Sequence, residues 1–227
     1  MNTDKQQQEI WNEIGAREDW QLFIKGDMTR GWLEEERYRE SGKKDAEEIF
    51  NRLKEGGVDL YGKRVLEIGC GGGRMTSEFK KLGVKMEGID ISKSLIGKLK
   101  KNNRKIQTYI GYNLKSIPNN YYDAILSFMT FQHCNKESVI RYFKQGLDKL
   151  KDGGYFVFQL PVKGETSEIT TPFVDYTRGY IDETHLFDGI KLRHWDFSEL
   201  EELKEGYKEL FGFTAFIDAS VFVFQKE

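Results

Sequence analysis

Residues 65–74 read Val65-Leu66-Glu67-Ile68-Gly69-Cys70-Gly71-Gly72-Gly73-Arg74. An apolar run ends in four glycines within five positions, and a helical pattern follows. Without a Cβ the backbone can turn tightly and approach a ligand closely. In an open α/β sheet the carboxyl end of a strand is where a nucleotide-like ligand sits. Asp90 closes the next strand-like run, 84–89, at a distance that suits hydrogen bonds to a ribose. A dinucleotide fingerprint requires G-x-G-x-x-G. Gly69 and Gly71 fill its first two positions, but its sixth is Arg74, and Gly73 comes one residue early. No Walker lysine follows, which disfavours a P-loop. The plainer reading is a glycine-rich turn in some other α/β protein.

From residue 63 onward strand-like and helix-like segments alternate. The pattern predicts strands at 64–69, 84–89, 106–110, 122–128 and 155–160. It predicts helices at 75–82, from Ser92 as N-cap to about 101, and from Asn135 as N-cap through 150. Asp152-Gly153-Gly154 reads as a turn into the fifth strand. Such alternation argues for a parallel sheet covered on both faces. The end of the chain breaks the pattern. Ser198-Glu199-Leu200-Glu201 reads as a capping box, and runs 211–217 and 220–224 follow as an antiparallel hairpin.

Two regions lie outside this alternation. Residues 1–57 hold Trp11, Trp20, Phe23, Trp32, Tyr38 and Phe50 among many charges, too little apolar material for a separate domain. They read as a helical lid or extension on a main domain at 58–227. Residues 162–195 form a long connection rich in aromatics, among them Phe173, Tyr176, Tyr180, Phe187 and Trp195. Long connections of this kind are commonly functional.

The chain has 227 residues, 38% of them hydrophobic, enough for one domain with a real core. Charged residues make up 32%, yet the formal net charge is only -2, so the bulk field favours neither nucleic acid nor an anionic membrane. Lysines 80, 81, 85, 93, 98, 100, 101 and 105 with Arg104 read as a solvated face, and a nucleic-acid substrate is disfavoured. Cys70 and Cys134 make no disulfide framework and read as free thiols of a reducing compartment. The polar N-terminus is no signal peptide, and no apolar run approaches the roughly 20 residues that span a bilayer. A cytoplasmic protein without a membrane partner is expected. His, Cys and carboxylates show no metal-ligand spacing, so no metal is expected. The oligomeric state is not legible.

The order Glu67-x-Gly69-x-Gly71-x-Gly73, with the antiparallel final strand, resembles the class I S-adenosylmethionine-dependent methyltransferases. The resemblance implies a three-layer Rossmann-like α/β sandwich, its seven-stranded sheet mostly parallel with an antiparallel C-terminal strand. It implies S-adenosylmethionine as cofactor and S-adenosylhomocysteine as product. Carried over residue by residue, Glu67, Gly69, Cys70, Gly71 and Gly73 would lie against the amino-acid part of the cofactor. Asp90, with Ile91 beside it, would take the ribose hydroxyls, since a carboxylate offers acceptors to both. The plainer role for Asp90 is a helix cap, in competition with Ser92. Relatives often carry an acid after the third strand; here the segment is Tyr112-Asn113-Leu114, to which adenine contact is assigned without choosing one residue.

Residues 123–133 read Asp-Ala-Ile-Leu-Ser-Phe-Met-Thr-Phe-Gln-His and resemble the segment of small-molecule methyltransferases that passes under the methionine sulfur. Phe128 and Met129 would wall the sulfonium, with Phe131 on the acceptor side. An aromatic face also stabilises such a cation. His133 is the candidate catalytic residue, a base of near-neutral pKa; the plainer reading is a structural histidine capping the next helix. Trp32, Arg37 and Tyr38 are candidates for the lid, the arginine meeting the cofactor carboxylate. His185, Arg193, His194 and Trp195 are candidates for substrate contact, against a plainer reading of loop packing. The expected enzyme moves a methyl group to an oxygen or nitrogen of a small molecule. An RNA or protein methyltransferase, a non-catalytic cofactor-binding subunit and a nicotinamide dehydrogenase are the rivals.

Overall fold

The structure, a computed structural model, describes residues 4–23, 35–160, 162–163, 195–215 and 219–227. Strand β1 (Arg64–Ile68) is an interior strand, third from one edge of a seven-stranded sheet. With β2 (Lys85–Asp90), β3 (Gln107–Ile110), β4 (Tyr122–Ser127), β5 (Leu150–Leu160), β8 (Tyr207–Ala215) and β9 (Ala219–Lys226) it gives the order β3-β2-β1-β4-β5-β9-β8. The pairs among β1 to β5 are parallel, and β9 runs antiparallel between β5 and β8. Short strands β6 (Val162–Lys163) and β7 (Trp195–Asp196) pair with each other in parallel. The expected mostly parallel sheet with an antiparallel C-terminal strand is what forms.

Successive residues of a strand face opposite sides, so each strand feeds two cores. Leu66, Ile68, Ile125, Phe156 and Phe158 join one core under helix α5 (Lys136–Lys149). Val65, Leu126 and Val157 join the other under α2 (Glu35–Glu55) and α3 (Thr76–Lys81). Helix α5 presents Val139, Tyr142, Phe143 and Gly146, a helical stripe of the period that makes one apolar face. Phe143 stacks on Phe156 at 4.4 Å between ring centres and meets Phe158 edge-on at 4.7 Å. Helix α2 buries Ala46, Ile49 and Leu53 against the sheet. Helix α1 (Asp4–Ala16) packs on α4 (Lys93–Asn102), where Ile14, Trp20, Tyr38 and Leu95 form a small core. Ser92 caps α4 and Asn135 caps α5, each side chain accepting a backbone N–H.

Three local expectations fail. The Gly153-Gly154 turn is absorbed into β5, which runs unbroken from Leu150 with a register shift against β4. Gly153 supplies the φ of 71° that this irregularity needs. Ser198 does not open a helix: a single turn, α6 (Phe197–Leu200), already begins at Phe197 and continues as a 3-10 turn over Glu201–Leu203. Both hairpin strands begin earlier than expected, at Tyr207 and Ala219, and the second runs on through Lys226.

Candidate active site

The strand order reverses between β1 and β4, which leaves a crevice outside their carboxyl ends. A cleft of roughly 1050 Å³, including its open mouth, lies there. Its floor is the glycine loop. Gly69 and Cys70 donate their N–H groups to the Ile89 carbonyl at 2.8 and 3.2 Å, tying the loop to β2. Gly69 has a φ of 75°, and a Cβ there would fall onto the Thr130 side chain. No other residue type fits that position.

Asp90 stands at the end of β2 and is buried. One of its oxygens accepts the Gly71 N–H at 2.8 Å, the other the Ser92 N–H at 2.7 Å. Each oxygen keeps a second acceptor direction, enough for a vicinal diol. Burial pushes its carboxyl from 3.8 up to about 6, against the pull of the backbone N–H groups. Glu67, fully enclosed, is pushed up to about 7, again by burial, with the Thr76 hydroxyl and the Arg74 charge opposing. Burial also holds the Cys70 thiol well above its ordinary value and raises Cys134 to about 12. Both thiols therefore stay protonated and unreactive at neutral pH.

Arg74 lines one end of the cleft. Its Nη1 pairs with Asp45 of α2 at 2.5 Å, both side chains 5% exposed, and its Nη2 lies 3.4 Å from the Met129 sulfur. Close approach of α2 makes this pair possible: a Cβ at Gly42 would sit 2.5 Å from the Arg74 carbonyl oxygen. Tyr38 of the same helix lines the cleft, and its buried hydroxyl has no hydrogen-bond partner among the described residues. Helix α1 covers the opposite side. Gln8 donates to the Ile91 carbonyl at 3.0 Å, Asp4 accepts from Ser138 at 2.7 Å and from Arg141 at 2.8 Å, and Trp11 meets the His133 ring edge-on at 5.3 Å.

The structure brings most expected site residues to this cleft: Glu67, Gly69, Cys70, Gly71, Asp90, Ile91, Tyr112, Phe128, Met129, Tyr38 and His133. Gly73 shapes the loop from behind, its N–H donating to the Cys70 carbonyl. Five expected contacts are not brought there. Asn113 folds its side chain back onto the Lys115 N–H, and Leu114 is fully buried in the core under α5. Phe131 is buried against Tyr142, Phe143 and Phe156, and Trp195 is equally enclosed. Arg37 is exposed on α2, so the arginine at the cleft is Arg74 and not Arg37. Trp32, His185, Arg193 and His194 lie outside the described residues, as does most of the 162–195 connection.

Sequence reading missed Arg74 as a site residue, along with Asp4, Gln7, Trp11 and Thr130. Arg74 had a signal: a charge directly after the glycines, in a stretch that is otherwise buried. The α1 residues had none, because only tertiary packing carries that helix across the cleft.

A sheet of this order, with a glycine loop after β1 and a carboxylate ending β2 at one cleft, defines a class I methyltransferase-type α/β domain. A family model described as a methyltransferase domain matches residues 37–204. The chain belongs to that family, the S-adenosylmethionine-dependent methyltransferases, and the cofactor and enzyme class expected from the sequence stand with it. It is 35% identical over 95 residues to a ubiquinone biosynthesis O-methyltransferase of Coxiella burnetii, covering 40% of this chain and 38% of that protein. A stretch of 37 residues is 54% identical to the ubiquinone biosynthesis O-methyltransferase of Nitrosococcus oceani, 16% of each chain. The chain thus spans well under half the length of these relatives. The magnesium protoporphyrin IX methyltransferase of Synechocystis, solved with bound S-adenosylhomocysteine, superposes with a TM-score of 0.69 at 14% identity, covering 99% of this chain and 100% of that one. Likeness at that identity speaks for the fold. Among the described residues, no helix is long and apolar enough to cross a membrane.

Proposed function

We propose that the protein transfers the methyl group of S-adenosylmethionine to an oxygen or nitrogen of a small molecule. The names of the two curated relatives, both O-methyltransferases, favour oxygen. The observation that carries the reading is the meeting, in one covered cleft, of the Asp90 carboxylate, the glycine loop and the buried cation Arg74. These three fit the three polar parts of the cofactor. Asp90 takes the ribose hydroxyls. Arg74, with the unpartnered Tyr38 hydroxyl, takes the carboxylate of the amino-acid end. Ile91 and Tyr112 take the adenine, and Phe128 and Met129 wall the sulfonium.

When bound, the cofactor supplies an electrophilic methyl. The acceptor atom would take that methyl as its bond to sulfur breaks, and the acceptor's proton would pass to solvent or to a base. The protein's share is alignment and exclusion of water, which can supply much of such a barrier. His133 lines the cleft against Trp11, which supports it as the group that meets the acceptor. Helix α1 acts as the cover of the site. The test is transfer of radiolabelled methyl from S-adenosylmethionine to fractionated small-molecule extracts. Label in a small-molecule fraction supports the reading; label only in RNA or protein overturns it.

A further inference from the structure

The turn after β4 places Met129 in the left-handed region, with a φ of 54°. Its backbone N–H donates to Gln159 Oε1 at 2.7 Å. Gln159, buried near the end of β5, donates from Nε2 to Gln132 Oε1 at 3.3 Å. Gln132 Nε2 then lies 3.2 Å from His133 Nε2. An amide's oxygen and nitrogen are alike in shape, so their order must come from the network. Here it is dictated from one end. A backbone N–H can only donate, so Gln159 must face Met129 with its oxygen. Its NH₂ then faces Gln132, which must answer with oxygen. The Gln132 NH₂ is left for His133, and an amide NH₂ has no lone pair to offer. His133 Nε2 must therefore accept. Turning over either amide sets donor against donor somewhere in the chain.

We propose that Gln159 and Gln132 are positioning residues that fix His133 as a neutral imidazole with its proton on Nδ1. With its lone pair engaged, Nε2 is not the base that takes the acceptor's proton. His133 serves as a fixed, oriented ring at the mouth. This sharpens the methyl-transfer reading and rests on it for the catalytic consequence, whereas the tautomer itself is a property of the protein alone.

The test is a long-range ¹H–¹⁵N spectrum of the full chain with ¹⁵N-labelled histidine at neutral pH. The chain has three histidines, and His133→Gln identifies the signals of the one in question. The Nδ1–H form should exceed the Nε2–H form by about tenfold, as one net hydrogen bond dictates. Gln159→Glu should reverse the order. Its carboxylate accepts from Met129 but has no hydrogen for Gln132, whose amide turns over and offers its oxygen to His133. The ring then carries its proton on Nε2. Gln132→Leu, which removes the donor, should reduce the preference. An Nε2–H parent, or a tautomer unmoved by both substitutions, overturns the proposal. Titration of the same parent sample with S-adenosylmethionine separates the two claims: failure to bind contradicts the methyltransferase reading and leaves the tautomer result standing.

Discussion

Asp90→Asn separates the cost of the site from its use. In the ligand-free protein the carboxylate is enclosed, and burial raises it from 3.8 to about 6. A folded-state value above the unfolded one means the neutral form suits the fold: its stabilisation is full below about pH 4 and lost as pH rises through about 6. A shift of roughly 2 units is worth about 3 kcal/mol at neutral pH, which a neutral asparagine recovers. Against this, the Gly71 N–H loses its acceptor, at about 1–3 kcal/mol. The ligand-free variant should therefore be as stable as the parent at neutral pH, or more stable by up to about 2 kcal/mol. Binding should move the other way. One of two charge-assisted bonds to the ribose disappears, at about 1.5–3 kcal/mol, so the Kd should rise by about tenfold to a hundredfold. Calorimetry with S-adenosylhomocysteine and thermal melts on one preparation read both. An unchanged Kd, or a Kd that rises only because the variant is unfolding, would refute the reasoning.

Arg74→Met should destabilise by about 3–5 kcal/mol, because it removes one partner of a buried ion pair with Asp45. The double variant Asp45→Leu with Arg74→Met should regain most of that stability in denaturant melts yet still bind S-adenosylhomocysteine weakly. Gly69→Ala should abolish binding and cost about 2 kcal/mol or more, since it combines a positive φ with a collision at Thr130; an unaltered melt and Kd would contradict the close approach. Asp90 and Glu67, raised to about 6 and about 7, together should lower the ligand-free melting temperature as pH rises from about 5 to about 8, while affinity for S-adenosylhomocysteine increases as Asp90 ionises. Phe143→Ala, at the centre of the aromatic cluster, should cost about 3–5 kcal/mol in stability without changing the Kd of the remaining folded protein.

What could be read from the sequence was what neighbours in the chain determine. Val65 to Ile68 forms a buried parallel strand because its run is mostly apolar, and Gly69 lets its end turn. Asp90 reaches the glycine loop because β1 and β2 are adjacent parallel strands of matched length, so their ends fall together. The caps at Ser92 and Asn135 are local hydrogen bonds. The failures are of another kind. Phe131 lies two residues from His133 and looked like a wall of the same cleft; the 3-10 turn at Phe131–His133 sends the phenylalanine inward and leaves the histidine at the mouth. Tyr112 reaches the cleft while Asn113 and Leu114 do not, a division that depends on the turn after β3. Arg37, expected to meet the cofactor carboxylate, is exposed on α2, a core helix whose inward face carries Tyr38 and Asp45. The cover supplied by α1 depends on contacts such as Asp4 with Arg141, separated by 137 positions, which no local pattern encodes.

A crystal structure with S-adenosylhomocysteine tests the assignment of the cleft most directly. Both ribose hydroxyls should lie within hydrogen-bond distance of the Asp90 carboxylate, with the amino-acid carboxylate turned toward Arg74 and Tyr38. A ligand seated elsewhere, or a ribose that leaves Asp90 untouched, would contradict it.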